Sequence, residues 1–188
     1  EINEDVFSLD ISRCEKFHSE TNFIVDRAAE SLGNQYAMHW PYKQNKTSRN
    51  IKTLPYHNHL KNKNACFGQV AGLEIPLWYA IDGEKPEFEY SFGYQNWYKS
   101  AKFETINTRK NVGFFELTPF AKYEIEGDAA YSSLQYLCAN NIKKESGSTT
   151  YTQMLNTNGG IEADLSITCL SKNHFRIVTG SAVREHDK

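Results

Sequence analysis

The sequence lacks a run of about 18 apolar residues, the length that a membrane-spanning helix requires. No helix of the 188-residue chain is therefore predicted to cross a membrane. Its first five residues, EINED, are acidic and lack the apolar core of a signal peptide. An excess of one charge sign is missing as well, since the net charge is -2. Non-specific nucleic-acid binding needs clustered basic residues, so we expect neither a nucleic acid nor a membrane as a partner.

Cysteine is scarce, and the motifs of several enzyme classes are missing. The four cysteines lie far apart without a C-x-x-C pair, which indicates a reducing intracellular compartment and small buried thiols. His57, His59 and Cys66 are spaced loosely like metal ligands. On a helix, however, the two imidazoles would point about 200° apart, which is a poor geometry for one ion, so no metal site is predicted. G-x-S-x-G, Walker and G-x-G-x-x-G motifs are absent, and no serine or cysteine nucleophile can be assigned.

Aromatic residues are abundant at 13%, and they supply the burial area that a folded chain needs. The length suits one domain, or one domain with an extension. Residues 1–50 are of mixed character, with a helix predicted over residues 22–32 from its apolar spacing. Lys43–Lys52 has few apolar residues and is predicted to be an exposed loop. A short helix is predicted over Tyr56–Lys63, and a glycine-punctuated loop over Ala65–Gly72.

The chain from residue 96 onward is predicted to be α+β. The predicted elements are a helix over Trp97–Asn111, an extended segment over Phe114–Glu126, a helix from Asp128 to Cys138, and strands over Thr149–Asn156, Ile161–Leu170 and His174–Thr179. Between the first two strands lies Thr157-Asn158-Gly159-Gly160, whose glycines suit the positive φ angles of a tight hairpin. This order predicts an antiparallel sheet with helices on one face.

The second hairpin strand alternates between an apolar and a polar face, because successive side chains of a strand point in opposite directions. The polar face carries Glu162, Asp164, Ser166 and Thr168. From periodicity alone a solvated face, normal for an antiparallel sheet, is the favoured interpretation. The alternative is that Asp164 meets the hydrogen-bonding edge of a flat aromatic ligand in a cleft. The side chains that could clamp such a ligand are Phe120, Tyr151, Gln153 and Leu155.

Three segments occur in the same order as in a known family. They are residues 114–122 (FFELTPFAK), 134–141 (LQYLCANN) and 151–165 (YTQMLNTNGGIEADL). The series resembles the folate-binding domain of the glycine-cleavage T-protein (aminomethyltransferase) family, and it is closer still to the C-terminal half of dimethylglycine and sarcosine dehydrogenases. Residues 67–97 resemble the entry region of that fused form, and residues 9–41 resemble the tail of its flavin half.

The resemblance implies the N-terminal part of a T-protein-like folate-binding domain over residues 53–188. Residues 1–52 would be the tail of a flavin-oxidoreductase-like region and a linker. In such enzymes the flavin half oxidises an N-methyl amine to an iminium, and tetrahydrofolate captures the one-carbon unit as methylenetetrahydrofolate. The expected cofactor is tetrahydrofolate, with FAD only in the upstream half, and the expected partners are folate and the amine-derived iminium. The chain is thus expected to be a fragment of a folate-dependent oxidative demethylase for an amine such as dimethylglycine or sarcosine, inactive in isolation.

The resemblance also implies roles for individual residues. The family's aspartate four residues after the paired glycines corresponds to Asp164. Its carboxylate would accept or orient the proton lost as nitrogen attacks carbon, and its charge would favour a cation, so Asp164 is the catalytic candidate. Tyr151 matches a tyrosine that packs near the pterin, and Phe120 takes a position usually filled by methionine. The cofactor-binding candidates are Phe120, Tyr151, Leu155, Ser166 and Thr168.

The sequence departs from the family in two ways. Gly180 stands where the T-protein has an asparagine, so one folate-side hydrogen bond is expected to be missing or supplied differently. A full T-protein domain also continues well past Lys188, so we expect exposed surface and self-association, for example as a dimer. A non-catalytic folate-binding or structural module stays open as the alternative function. The expected location is the cytoplasm, or the mitochondrial matrix in a eukaryote.

Overall fold

The computed structural model describes residues 9–11 and 14–188, which divide into two compact units. One unit is Glu15–Leu117, and the other is Thr118–Lys188 with the described residues before Glu15. The helices are α1 (Thr21–Gly33), α2 (His57–Lys61), α3 (Tyr98–Lys110) and α4 (Ala130–Leu137). The strands are β1 (Lys52–Thr53), β2 (Ala65–Val70), β3 (Leu73–Tyr79), β4 (Ala121–Glu126), β5 (Thr149–Leu155), β6 (Ile161–Ser171) and β7 (His174–Thr179). Among the described residues, no helix is long and apolar enough to cross a membrane.

The Glu15–Leu117 unit contains a three-stranded sheet in the order β1-β3-β2. Antiparallel strands β2 and β3 are joined by Ala71 and Gly72, whose φ angles are 47° and 75°. The prediction of a loop over residues 65–72 was wrong. Gly68 lies within β2, where an added Cβ atom would come within 2.3 Å of Leu77 Cδ1. The glycine therefore marks close packing inside a strand, a role that sequence alone does not distinguish from a loop.

A buried ion pair fixes the Lys43–Lys52 segment to this sheet. The Glu74 carboxylate on β3 is fully buried and accepts hydrogen bonds from Arg49 Nε at 2.7 Å and Arg49 Nη2 at 2.5 Å. The backbone N–H of Asn50 and the amide of Gln69 also donate to it, at 3.0 Å and 3.1 Å. The predicted loop is therefore confirmed up to the start of β1, but it is anchored by a carboxylate that sequence patterning did not single out.

Helix α1 occupies the predicted position, but it contributes no core residue. None of its side chains is buried, and Leu32, expected on an apolar face, is 69% exposed. Polar contacts hold the helix: the Glu30 carboxylate accepts the backbone N–H groups of Lys46 and Thr47 at 2.8 Å and 2.9 Å. The apolar spacing therefore located the helix without locating the core.

The second unit contains a four-stranded sheet in the order β4-β7-β6-β5, in which every neighbouring pair is antiparallel. Helix α4 contacts this sheet, and its Leu134 is buried with side chains from β6 and β7. The buried core residues are Ala130, Leu134, Cys138, Ile142, Ala163, Leu165, Ile167, Cys169, Phe175 and Ile177. The predicted α+β class with an antiparallel sheet is confirmed.

Three of the four cysteines are buried free thiols, as predicted, but Cys14 is exposed. The expectation of a buried side chain was wrong there because this part of the chain contributes no residue to any of the described cores. Burial raises the pKa of the Cys66 thiol to about 12, so this thiol stays protonated at neutral pH.

Candidate functional site

The turn between β5 and β6 is organised by the side chain of Asn156. Its Oδ1 accepts the backbone N–H groups of Asn158 and Gly160 at 3.0 Å and 2.8 Å, and its Nδ2 donates to Glu162 at 2.7 Å. Gly159 has a φ angle of 80°, and a Cβ atom on Gly160 would lie 2.8 Å from Asn156 Nδ2. Both glycines are therefore required by the turn, one for its conformation and one for space. This turn fixes the start of β6, on which Asp164 lies.

The alternation predicted for β6 is confirmed. Ala163, Leu165, Ile167 and Cys169 are buried, whereas Asp164 is exposed on the opposite, outer face. Ile161 is the exception on the apolar side, because it lies beside the turn and is 67% exposed. The sheet therefore presents Asp164 to solvent on the face that points away from its core.

Two side chains of β5 bond to the Asp164 carboxylate. Gln153 pairs directly with Asp164 across the strands, and its Nε2 donates to Oδ1 at 3.1 Å. The Tyr151 hydroxyl interacts with the Asp164 carboxylate, and this interaction is the main cause of the raised pKa of Tyr151. The negative charge disfavours a neighbouring phenolate, so the phenol stays a donor at neutral pH. The carboxylate is thereby oriented, while its remaining acceptor positions stay available.

Tyr151, Ser166 and Thr168 share the face of Asp164, whereas Leu155 lies beyond a register shift. Tyr151 pairs directly with Ser166, and its side chain is 61% exposed. Thr168 lies two residues beyond Ser166, further from the turn, and shares a 2.8 Å hydrogen bond with Thr149, so its hydroxyl is already engaged. Leu155 lies at the turn end of β5 and is 37% exposed.

Phe120 comes to the same end of the sheet through strand register. Ala121 pairs with Thr179, and Thr179 pairs with Leu165. Phe120 precedes Ala121, Gly180 follows Thr179, and Asp164 precedes Leu165. In antiparallel strands these three residues therefore form the next row, in which they lie side by side. Phe120 is 44% exposed. A Cβ atom on Gly180 would lie 3.3 Å from Val183 Cγ2, so Val183 leaves little room for the family's asparagine.

The hollow expected beside Asp164 is not formed by the described residues. Asp164, Glu162 and Tyr151 are all exposed, so this part of the sheet is an open platform. The structure does bring Asp164, Tyr151, Ser166 and Thr168 onto one face, with Leu155 and Phe120 towards its turn end. Sequence reasoning gave no role to Gln153 as the partner of Asp164. The strand alternation placed it on the correct face, but only the register makes it the direct neighbour.

Comparison with known proteins identifies the family. The model described as "GCVT N-terminal domain" matches residues 56–188, and the model described as "FAD dependent oxidoreductase central domain" matches residues 1–53. The chain belongs to the GCVT N-terminal domain family. Its resemblance to the T-protein family, and to the flavoenzymes that carry such a domain, is thereby confirmed.

Curated relatives of this GCVT-family chain share most of its length. It is 37% identical over 181 residues to 4-methylaminobutanoate oxidase (formaldehyde-forming) from Paenarthrobacter nicotinovorans, covering 96% of the chain and 22% of that protein. It is 29% identical over 183 residues to mitochondrial dimethylglycine dehydrogenase from Rattus norvegicus, covering 97% and 21%. Human mitochondrial sarcosine dehydrogenase is 25% identical over 224 residues, with 98% and 24% covered. The chain thus spans about a fifth of the length of the curated relatives it matches.

A solved structure supports the fold. The aminomethyltransferase T of the glycine cleavage system from Bartonella henselae aligns with a TM-score of 0.55 at 24% identity. The alignment covers 73% of this chain and 33% of that one. The GCVT-family chain therefore shares the T-protein fold, and it is a T-protein-like domain related to dimethylglycine and sarcosine dehydrogenases.

Proposed function

We propose that this chain carries part of the tetrahydrofolate site of a folate-dependent oxidative demethylase. One observation carries the proposal: the carboxylate four residues after the paired glycines is presented on the outer face of the sheet, where Gln153 donates a hydrogen bond to it and Tyr151 interacts with it. Family membership supports a folate ligand for this face.

The residues present fit the chemistry of tetrahydrofolate. An ionised carboxylate is an acceptor only, and it complements the N–H groups along the edge of a reduced pterin. Tyr151, Phe120 and Leu155 expose aromatic or aliphatic surface at the same end of the sheet, and a flat ring can pack on such surface. Bound tetrahydrofolate would supply the amine nitrogens that take up a one-carbon unit.

The role proposed for Asp164 is proton transfer and charge stabilisation. The carboxylate can accept a proton from an amine nitrogen held against this face, because Gln153 takes up only one acceptor position, on Oδ1. Its negative charge also favours positive charge that develops beside it. Gln153 and Tyr151 would act as positioning residues, because Gln153 donates a hydrogen bond to the carboxylate and Tyr151 interacts with it.

The proposed substrate class is an N-methyl amine. The relatives are named for oxidation of 4-methylaminobutanoate, dimethylglycine and sarcosine, all of which carry an N-methyl group. The match of residues 1–53 to a FAD-dependent oxidoreductase domain supports a flavin that performs the oxidation elsewhere in the same polypeptide. We propose a cytoplasmic location, or the mitochondrial matrix if the source is a eukaryote, as the names of the mammalian relatives suggest.

Calorimetric titration with tetrahydrofolate under anaerobic conditions tests the proposal. The chain should bind weakly, and Asp164→Asn should lower the affinity at least about tenfold, as expected for loss of a charge-assisted hydrogen bond of about 1.5 kcal/mol or more. Glu162→Gln is the matched control, because Glu162 is another exposed carboxylate on the same strand face. Equal affinity of the wild type and Asp164→Asn would contradict the assignment.

A non-catalytic module is the second candidate, and one relative favours it. The chain is 28% identical over 189 residues to the mitochondrial pyruvate dehydrogenase phosphatase regulatory subunit from Mus musculus, which covers 98% of the chain. A regulatory module would have no turnover even within its whole polypeptide. One experiment separates the two functions. The whole polypeptide is given sarcosine or dimethylglycine, and the release of formaldehyde is measured with and without tetrahydrofolate, which should suppress it. Suppression that is lost in Asp164→Asn supports the demethylase, whereas no oxidation of any N-methyl amine supports the module.

A further inference from the structure

A cavity of about 510 Å³ lies on the side of the second unit's sheet opposite to Asp164. Its apolar lining includes Ile142 and Phe175, each 2% exposed, and Cys169, which is 6% exposed. Tyr131 on α4 adds an aromatic wall, with its ring centroid 6.5 Å from that of Phe175. Ile142, Phe175 and Cys169 form the buried floor of the cavity, so the apolar surface that it offers to a small ligand is mainly that of the half-buried Tyr131.

The rim of this cavity is basic. Lys143, Lys144 and Lys172 line it, and within the part of the chain that the structure describes their ammonium groups make no hydrogen bond or ion pair. Asp128 is the acidic residue of the lining, and its Oδ1 accepts a hydrogen bond from Asn173 Nδ2 at 2.9 Å. The rim thus carries three cations against one carboxylate that already has a partner.

The walls of the cavity are held in place by hydrogen bonds. Gly147 donates its backbone N–H to the Cys169 carbonyl at 2.7 Å, and the Ser146 hydroxyl donates to the Leu170 carbonyl at 2.6 Å. On the opposite side, Gly127 donates its backbone N–H to the Asn173 carbonyl at 3.0 Å. Because both bordering loops are tied to the β6–β7 hairpin, the cavity exists before any ligand binds, as small-molecule sites usually do.

We propose that this cavity binds a small amphiphilic carboxylate, with its apolar body against Tyr131 and its head among the three lysines. The volume falls within the range of about 300–1,000 Å³ that is typical of small-molecule sites. The unpaired ammonium groups select an anion over a neutral molecule of the same shape. This site is separate from the proposed tetrahydrofolate face, because the two lie on opposite faces of one sheet.

Fluorescence titration with 2-naphthoate, and with the neutral 2-naphthamide as its isosteric control, tests the proposal. Naphthoate should bind at least about tenfold more tightly than naphthamide, and the triple variant Lys143→Gln/Lys144→Gln/Lys172→Gln should lose that preference, because it removes the three positive charges. The control triple Lys99→Gln/Lys102→Gln/Lys110→Gln on α3 should bind naphthoate like the wild type. Circular dichroism melting establishes that both triples fold.

A second variant locates the apolar part of the site. Tyr131→Gln should weaken naphthoate binding severalfold while leaving the anion preference, because it alters the wall and not the rim. Saturating tetrahydrofolate should leave naphthoate binding unchanged. Equal binding of naphthoate and naphthamide, no detectable naphthoate binding, or wild-type affinity in the rim triple would overturn the proposal. Displacement by tetrahydrofolate would overturn the separation of the two sites without touching the Asp164 assignment.

Discussion

The side chains of Asp164 and Tyr151 interact on the outer face of the second unit's sheet. The carboxylate raises the pKa of the Tyr151 phenol, because ionisation of the phenol would remove the donor and place two negative charges side by side. Gln153 Nε2 donates a hydrogen bond to Asp164 Oδ1 at 3.1 Å. The orientation of Asp164 therefore depends on two neighbours with different chemistry, and each can be removed separately.

We predict that Asp164→Asn lowers the pKa of Tyr151 towards its ordinary value, because the variant removes the negative charge that disfavours the phenolate. A pH titration of the Tyr151 ring ¹³Cζ resonance by NMR measures this directly. Glu162→Gln should leave the Tyr151 titration unchanged and serves as the control. A Tyr151 pKa that is the same in the wild type and in Asp164→Asn would show that the hydrogen bond does not persist in solution.

At the residue scale, the sequence predicted which side chains share the outer face but not which of them touch. Strand alternation was enough to place Asp164, Tyr151 and Gln153 on one face. Side chains alternate between the two faces of a strand, so the face of each residue is fixed once the strand is recognised. The Gln153–Asp164 pairing depends on register, and a register shift occurs between Met154 and Leu155 near the turn. Such an irregularity has no signature in the sequence, so the contacts could be obtained only from the structure.

At the scale of elements, prediction succeeded where the hydrophobic pattern and the fold agree. Strand β7 was predicted with its observed bounds, His174–Thr179, and β6 to within one residue. Strand β2 was missed because Gly68 is a loop signal, and its packing against Leu77 is visible only in three dimensions. The role of Glu74 could not be predicted either. Its partner Arg49 lies 25 residues away in the sequence, so the sequence pattern around Glu74 does not reveal the ion pair.

We predict that Glu74→Ala destabilises the Glu15–Leu117 unit by about 3–5 kcal/mol, because it leaves the Arg49 guanidinium without its buried partner. All three tryptophans, Trp40, Trp78 and Trp97, lie in this unit, so urea unfolding followed by tryptophan fluorescence reports on it alone. Glu89→Gln, at an exposed carboxylate, is the control and should cost less than about 0.5 kcal/mol. An equal midpoint for Glu74→Ala and the wild type would contradict the prediction.

The pH dependence of this stabilisation has a definite sign. Burial raises the pKa of Glu74, but the hydrogen bonds from Arg49, Asn50 and Gln69 outweigh it, so the folded-state pKa is lower than its ordinary value of 4.5. A carboxyl group whose pKa is lowered by folding adds stability above its unfolded-state pKa, and that stability is lost as the pH falls through the folded-state pKa. The stability difference between the wild type and Glu74→Gln should therefore be constant near neutral pH and shrink below about pH 4.5.

At the scale of the whole molecule, exposed apolar side chains are concentrated after α3. Val112, Phe114, Phe115 and Leu117 are between 60% and 88% exposed. Apolar surface of this kind favours association, because burying it removes about 25 cal/mol of free energy per Å². The sequence predicted self-association on other grounds, from the resemblance to a longer domain. We propose that these exposed side chains form the contact surface.

We predict concentration-dependent dimers of the chain in light scattering, and a shift towards monomer in Phe114→Ser/Phe115→Ser. Tyr136→Ser is the matched control, because Tyr136 is a lone aromatic side chain that is 87% exposed in the other unit. A monomer at every concentration up to the solubility limit would show that these side chains do not mediate association.

The central claim is that the face of the sheet around Asp164 receives tetrahydrofolate, and mapping backbone amide chemical shifts during a tetrahydrofolate titration tests it most directly. The account predicts that the largest shifts occur on β5 and β6 at Tyr151, Gln153, Asp164 and Ser166, with little change at the lysine-rimmed cavity around Lys143 and Lys172. Saturable shifts confined to other residues, or no shift at millimolar tetrahydrofolate, would contradict it.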